Sequence, residues 1–83
     1  MEVEVGYVLF NIEPRTKKSF MEKVRKIRAV KEAHLVIGIF DAVAKIESEN
    51  IEDLEKVYLN EIESIAGVMN SRLHFVACPR TRK

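Results

Sequence analysis

One cysteine, two prolines, three glycines and no tryptophan occur in this 83-residue sequence, and each shortage excludes something. The lone thiol, Cys78, has no partner for an internal disulfide, and two histidines cannot supply a ligand cluster of metal-site spacing. Cys78 reads as a small half-buried residue rather than a reactive one, because nothing near it would lower a thiol pKa. No apolar run approaches the roughly 20 residues that a membrane span requires. The opening MEVEVGYVLF places acids where a secretory signal places bases. The expectation is a cytoplasmic chain with no cofactor and no metal.

A strong excess of either charge is also missing. Fourteen Lys and Arg residues face thirteen Asp and Glu, a net charge of +1. A dedicated nucleic-acid binder carries a strongly basic surface instead. The chain makes one small domain, whose burial on folding leaves a thin margin of stability. Domains of this size gain stability from staples or from oligomerisation, and the staples are lacking here.

What is present is a clear alternation of elements. Val3 to Ile12 reads as a strand with Val5, Tyr7 and Leu9 on one face and Val8, Phe10 and Ile12 on the other. Pro14 ends it and suits a helix start. From Arg15 to Arg28, Phe20, Val24 and Ile27 fall on one helical face, with Thr16 as N-cap. Ala33–Gly38 and Asp41–Glu47 read as two strands joined by a turn. Asn50 caps a second helix that is acid-rich in its first turns and striped by Ile51, Leu54, Tyr58, Ile62 and Ile65. Gly67 stops that helix. Val68–Ala77 is the last strand, and residues 78–83 form a basic tail after a single domain spanning residues 1–77.

The order βαββαβ, with right-handed crossovers, predicts an α+β ferredoxin-like fold: an antiparallel sheet with two helices on one face. The other sheet face should alternate polar residues if it meets water. Val5, Tyr7 and Leu9, with Val36 and Val76, make it read apolar instead. A patch of that kind points to sheet-to-sheet pairing with a second copy, a dimeric α/β barrel. The turn Gly38-Ile39-Phe40-Asp41 poses a related question, since hairpin turns favour polar pairs and this one carries Ile39 and Phe40. A further subunit contact would remove their cost in water.

Three stretches, VLFNIEP, VKEAHLVIGIFDAVAKIES and IESIAGVMNSRLHFVA, carry a resemblance that runs through almost the whole chain. They are similar to the ligand-binding domain of the Lrp/AsnC feast/famine regulators, the RAM module. The most specific match is Gly38-x-Phe40-Asp41, in the place of that family's Gly-x-Tyr/Phe-Asp hairpin. The resemblance implies a sheet-to-sheet homodimer that assembles into an octamer or similar ring. It also implies a small effector, often an amino acid, bound between dimers near the hairpin.

Carried over by residue, the effector site comprises Gly38, Ile39, Phe40, Asp41 and Ser71. Asp41 would meet an ammonium group, and Ser71 with the backbone N–H groups after Gly38 would meet a carboxylate. Where the family closes with a second Ser or Thr, this sequence has Leu73. Full-length members begin with a helix-turn-helix domain, whereas this sequence begins on its first strand. The resemblance therefore implies a transcription-regulating sensor that does not bind DNA itself and acts with full-length Lrp/AsnC regulators.

Two other readings share the architecture. A dimeric α/β-barrel enzyme of the monooxygenase type would need a general base, and His34 and His74 are the only histidines for it. Neither shows a carboxylate at an obvious supporting position, so no catalytic residue is assigned. An ACT-like regulatory module would carry a Gly-rich first loop that NIEPRTKK lacks.

Overall fold

Alternation along the first strand sets the layers of the molecule. The computed structural model describes residues 3–76. Strand β1 (Glu4–Ile12) buries Val8, Phe10 and Ile12 completely or nearly so, and Tyr7 just before them is 40% exposed. A 3-10 turn (Pro14–Thr16) leads into helix α1 (Lys17–Val24), followed by β2 (Val30–Leu35) and β3 (Ala42–Ser48). Helix α2 (Ile51–Val57) continues through a π-helical turn (Tyr58–Ile62), and β4 (Val68–Phe75) is the last element of the described residues. The four strands form one antiparallel sheet in the order β2-β3-β1-β4. This is the ferredoxin-like arrangement that the element order predicts.

The core lies between sheet and helices. Phe10 and Phe20 meet edge to face, with ring centroids 4.8 Å apart at 66°. Val24, Ile46, Leu54 and Ile62 are fully buried with them. Ala42 and Ala44 stand beside Phe10 and Val8 in register, so small side chains on β3 flank the large ones of β1. Ser71 and Leu73 of β4 flank the same two residues on the other side.

Several boundaries differ from the sequence reading, each for a local reason. The first helix is shorter than Arg15–Arg28. Pro14 and the Glu13 carboxylate, which accepts from Arg15 N at 2.9 Å, start a 3-10 turn first. Three-residue bonds from Lys26 N to Lys23 O and from Ile27 N to Val24 O then close the C-terminal end. Thr16 occupies the N-cap position but does not cap; its hydroxyl donates to Glu13 O at 2.8 Å. Asn50 does cap, accepting from Asp53 N at 2.8 Å. Ile51 begins α2 but is 44% exposed, outside the buried stripe.

The second strand runs over Val30–Leu35 rather than Ala33–Gly38, and the third starts at Ala42. A bulge between Val30 and Glu32 shifts the β2 register, and Glu47 N reaches Ala29 O at 2.9 Å, so pairing starts early. Residues 36–41 then form a loop instead of a four-residue turn. The fourth strand ends at Phe75. Ala77, Cys78 and the basic tail lie outside the described residues.

The uncovered sheet face is less uniformly apolar than the sequence reading expects. Val5, Tyr7 and Leu9 form its central stripe, with Val43 beside Leu9. Around them stand Lys45 and Glu47, 3.5 Å apart, with Arg72 and His74 on β4 and Glu32 and His34 on β2. Three of the four strands therefore do alternate polar residues on this face. Only β1 does not.

Gly67 closes the helix layer onto β1. It sits at φ 97°, its carbonyl accepts from Glu13 N at 2.8 Å, and a Cβ there would lie 2.8 Å from the Cβ of Thr16. Both the dihedral and the space require glycine. Gly67→Ala is expected to destabilise the fold by about 2 kcal/mol or more. Chemical denaturation checks this, and part of the loss should return in Thr16→Gly, where the clash is relieved but the dihedral strain stays.

Candidate functional site

The last three residues of β1 hold the hairpin loop in place. Phe10 and Ile12 bury their side chains in the core, which leaves their backbone groups pointing along the sheet. Asp41 N donates to Phe10 O at 2.7 Å, and Ile12 N donates to Asp41 Oδ2 at 2.8 Å. The Asp41 carboxylate thus does the work of a missing strand partner at the point where β3 begins. Its other oxygen, Oδ1, lies 3.7 Å from Lys17 Nζ at the start of α1, with the Asp41 side chain 31% exposed. One carboxylate therefore joins β1, β3 and α1.

Asn11, between those two anchors, faces the uncovered side of the sheet. Its Nδ2 donates to Ile39 O at 2.9 Å, and its Oδ1 accepts from Asn70 Nδ2 at 3.2 Å. The chain Ile39–Asn11–Asn70 couples the loop tip to β4 across β1. The loop is closed at its other end by Val36 N donating to Asp41 O at 2.9 Å.

The apolar character of the loop is confirmed in kind but not in detail. Ile37 and Ile39 are the exposed pair, at 105% and 88%, while Phe40 is half-buried. Gly38 between the two isoleucines has φ 156° and open space where a Cβ would be. Gly38, Ile39, Phe40 and Asp41 are thus together, as neighbours in one loop. Ser71 is not among them. It pairs with Phe10 in register on the helix side of β4, two strand spacings or about 10 Å from β3. Its hydroxyl lies 2.7 Å from Tyr58 Oη.

Tyr58, Asn11, Asn70 and Lys17 were not singled out for the site by the sequence pattern. Tyr58 reads there as one more member of a helical stripe, whereas in the structure it begins the π turn and its hydroxyl meets Ser71. Glu32 is a further correction. The same-face spacing of residues 32 and 34 on a strand puts its Oε1 3.5 Å from His34 Nε2, so His34 does have a carboxylate neighbour. Both side chains are more than half exposed, on an edge strand. Among the described residues no three His, Cys, Asp or Glu side chains converge to hold a metal, and no helix is long and apolar enough to cross a membrane.

The likeness to known proteins agrees with this geometry. The family model of the Lrp/AsnC ligand binding domain matches residues 6–79. The chain is 32% identical over 66 residues to an uncharacterized HTH-type transcriptional regulator of Pyrococcus furiosus, covering 76% of this chain and 44% of that protein. It spans less than half the length of the curated relatives it matches. In fold it is similar to a protein of Thermus thermophilus, with a TM-score of 0.87 and 23% identity, covering 95% of this chain and 99% of that one. It is also similar to a transcriptional regulator of Neisseria meningitidis solved in complex with L-Met, with a TM-score of 0.83 and 17% identity, covering 95% and 53%.

Two substitutions check the site's internal bonds. Asp41→Ala leaves Ile12 N without an acceptor and is expected to cost about 1–3 kcal/mol, with Asp41→Asn costing less because one acceptor oxygen remains. A double-mutant cycle of Tyr58→Phe and Ser71→Ala should give a coupling of about 0.5–1.5 kcal/mol in urea unfolding.

Proposed function

The chain belongs to the Lrp/AsnC ligand-binding domain family, and on that premise we propose that it is an amino-acid sensor that assembles with copies of itself and modulates transcription without binding DNA. The observation that carries this reading is the Asp41 carboxylate at the base of an exposed apolar loop. Its two oxygens are unequally committed. Oδ2 holds Ile12 N at 2.8 Å, whereas Oδ1 has only the long 3.7 Å approach of Lys17. An effector's ammonium group would replace Lys17 on Oδ1 and leave the structural bond on Oδ2 intact. The backbone after Gly38 would offer N–H groups to the effector's carboxylate. The regulator solved with L-Met is a relative that takes an amino acid, which supports the ligand class.

Ser71 enters this reading differently from the loop residues. Its hydroxyl is engaged with Tyr58 on the helix side; with Tyr58 as the donor, the Ser71 O–H would remain available to an effector. Leu73, where the family has a second hydroxyl, pairs with Val8 and packs against the core, so it offers an effector no hydroxyl.

The assembly part of the proposal rests on the two surfaces that water should not meet. The stripe Val5, Tyr7 and Leu9, flanked by residues of both charges, suits a twofold sheet-to-sheet contact, in which each Lys45 and Glu47 can meet its opposite. Ile37 and Ile39 suit a contact beyond that pair, toward an octamer or similar ring. An effector at such a contact shifts any equilibrium whose states differ there. The partners would include full-length Lrp/AsnC regulators, in the cytoplasm. Enzymatic activity is not part of this reading, since the relatives are transcriptional regulators and His34 and Glu32 stand in open water.

The decisive measurement is a thermal-shift screen of the twenty amino acids on the wild type and on Asp41→Ala. At a hundredfold excess over its dissociation constant, the effector should stabilise the wild type by about 2.7 kcal/mol. The ligand-induced increment should vanish in Asp41→Ala; an equal increment in both removes Asp41 from the site. Leu9→Lys, which places a charge in the centre of the sheet face, is expected to yield a monomer by sedimentation, with the far-UV spectrum unchanged.

A further inference from the structure

Two further surfaces complement each other, one of them bordering the loop. Between α1 and the edge strand β2 runs an open groove of about 750 Å³. Met21 and Leu35 give it an apolar floor, and Leu35 is 49% exposed. Arg15, Lys17, Lys18 and Arg25 line it with positive charge, His34 also lines it, and Glu22 is the one carboxylate among its lining residues. Arg25 is fixed in place, since its Nη2 donates to Ala33 O at 3.1 Å.

The second surface is the outer side of α2 and its π turn. Ile51 and Leu59 are exposed there, at 44% and 58%, which is unusual for large aliphatic residues on a helix of so small a domain. Ile51, Glu55 and Leu59 recur at the i, i+4 spacing that places side chains on one helical face. Glu52, Glu61 and Glu63 are exposed around them, and Lys56 is the only basic residue from Ile51 to Ile62. This is an acidic ridge with an apolar crest. The groove is a basic trough with an apolar floor.

We infer that the acidic ridge of α2 in one copy docks into the α1–β2 groove of another. The charges are opposite, and the apolar residues of each would cover those of the other. Ridge and groove are different patches, so the contact is heterologous: it leaves a free groove and a free ridge at the ends and repeats until it closes into a ring. The inference rests on the proposed assembly beyond a dimer and adds a surface to the contact at Ile37 and Ile39. Lys17 lines the groove and also approaches Asp41, so the groove borders the proposed effector site.

Sedimentation velocity on the full chain tests it with charge reversals. The groove variant Arg15→Glu/Lys18→Glu and the ridge variant Glu55→Lys/Glu63→Lys should each stop at the dimer while keeping the wild-type circular dichroism. Mixed in equal amounts, they should rebuild the larger species, because the acidic groove of one accepts the basic ridge of the other. Raising the salt concentration should shift the wild type toward dimers. A wild type that assembles, with both variants assembling equally well, overturns this contact and leaves assembly itself standing. A wild type that never exceeds a dimer overturns both. Variants that stop at dimers but do not recover on mixing overturn the complementary docking, since loss alone would follow from any surface change.

Discussion

The end of β1 is where burial and hydrogen bonding act on the same three residues, and the rest of the molecule is arranged around it. Phe10 and Ile12 are locked by their side chains in the core, so the carbonyl of one and the amide of the other are fixed in space. Asp41 binds both, through its own amide and its carboxylate. Asn11 between them faces the other way and reaches Ile39 and Asn70. A loop that carries two bare isoleucines is thereby held by polar bonds at its base, where an unsatisfied amide would be costly. Loop position and core packing are not separable here.

The same economy explains the surface. A chain of this length has more large apolar residues than one small core can take. Among the described residues the exposed ones include Tyr7 on the β1 stripe, Leu35, Val36, Ile37 and Ile39 in and before the loop, Ile51 and Leu59 on the α2 side, and Met69 and Phe75 on β4. Each group has charged neighbours of a definite sign or of both signs. On the proposed reading, charges of that kind select how copies meet. Membership of a ligand-binding domain family, whose relatives are transcriptional regulators, fits that reading.

Much of this was legible in the residues. The alternation Val8-x-Phe10-x-Ile12 named the buried face of β1 correctly, and Phe20 and Val24 named that of α1. Asn50 announced its cap, because few residues satisfy one, whereas the helical run ends at Ile62 and Gly67 lies beyond it, directly before β4. Boundaries were less legible. The β2 strand moved toward the N-terminus because a bulge at Lys31 absorbed a residue, and nothing in VKEAHLVIG marks a bulge. Thr16 looked like a cap and is not one, since Glu13 is near enough to serve first. Gly38 to Asp41 could be grouped from their order alone, but Ser71 could not be related to them without the register across β1.

The sequence by itself determined the order of the elements, the buried face of each, and the loop with its glycine and its carboxylate. Those features depend on period, on cap chemistry and on backbone freedom, which are local properties of a chain. Tertiary structure alone decided what each polar group touches: Asp41 on Ile12 and Lys17, Tyr58 on Ser71, Asn11 between Ile39 and Asn70. Those partners lie 13 to 59 residues apart in the chain. The register that brings them together is set by packing the whole sheet against two helices, and no local pattern encodes it.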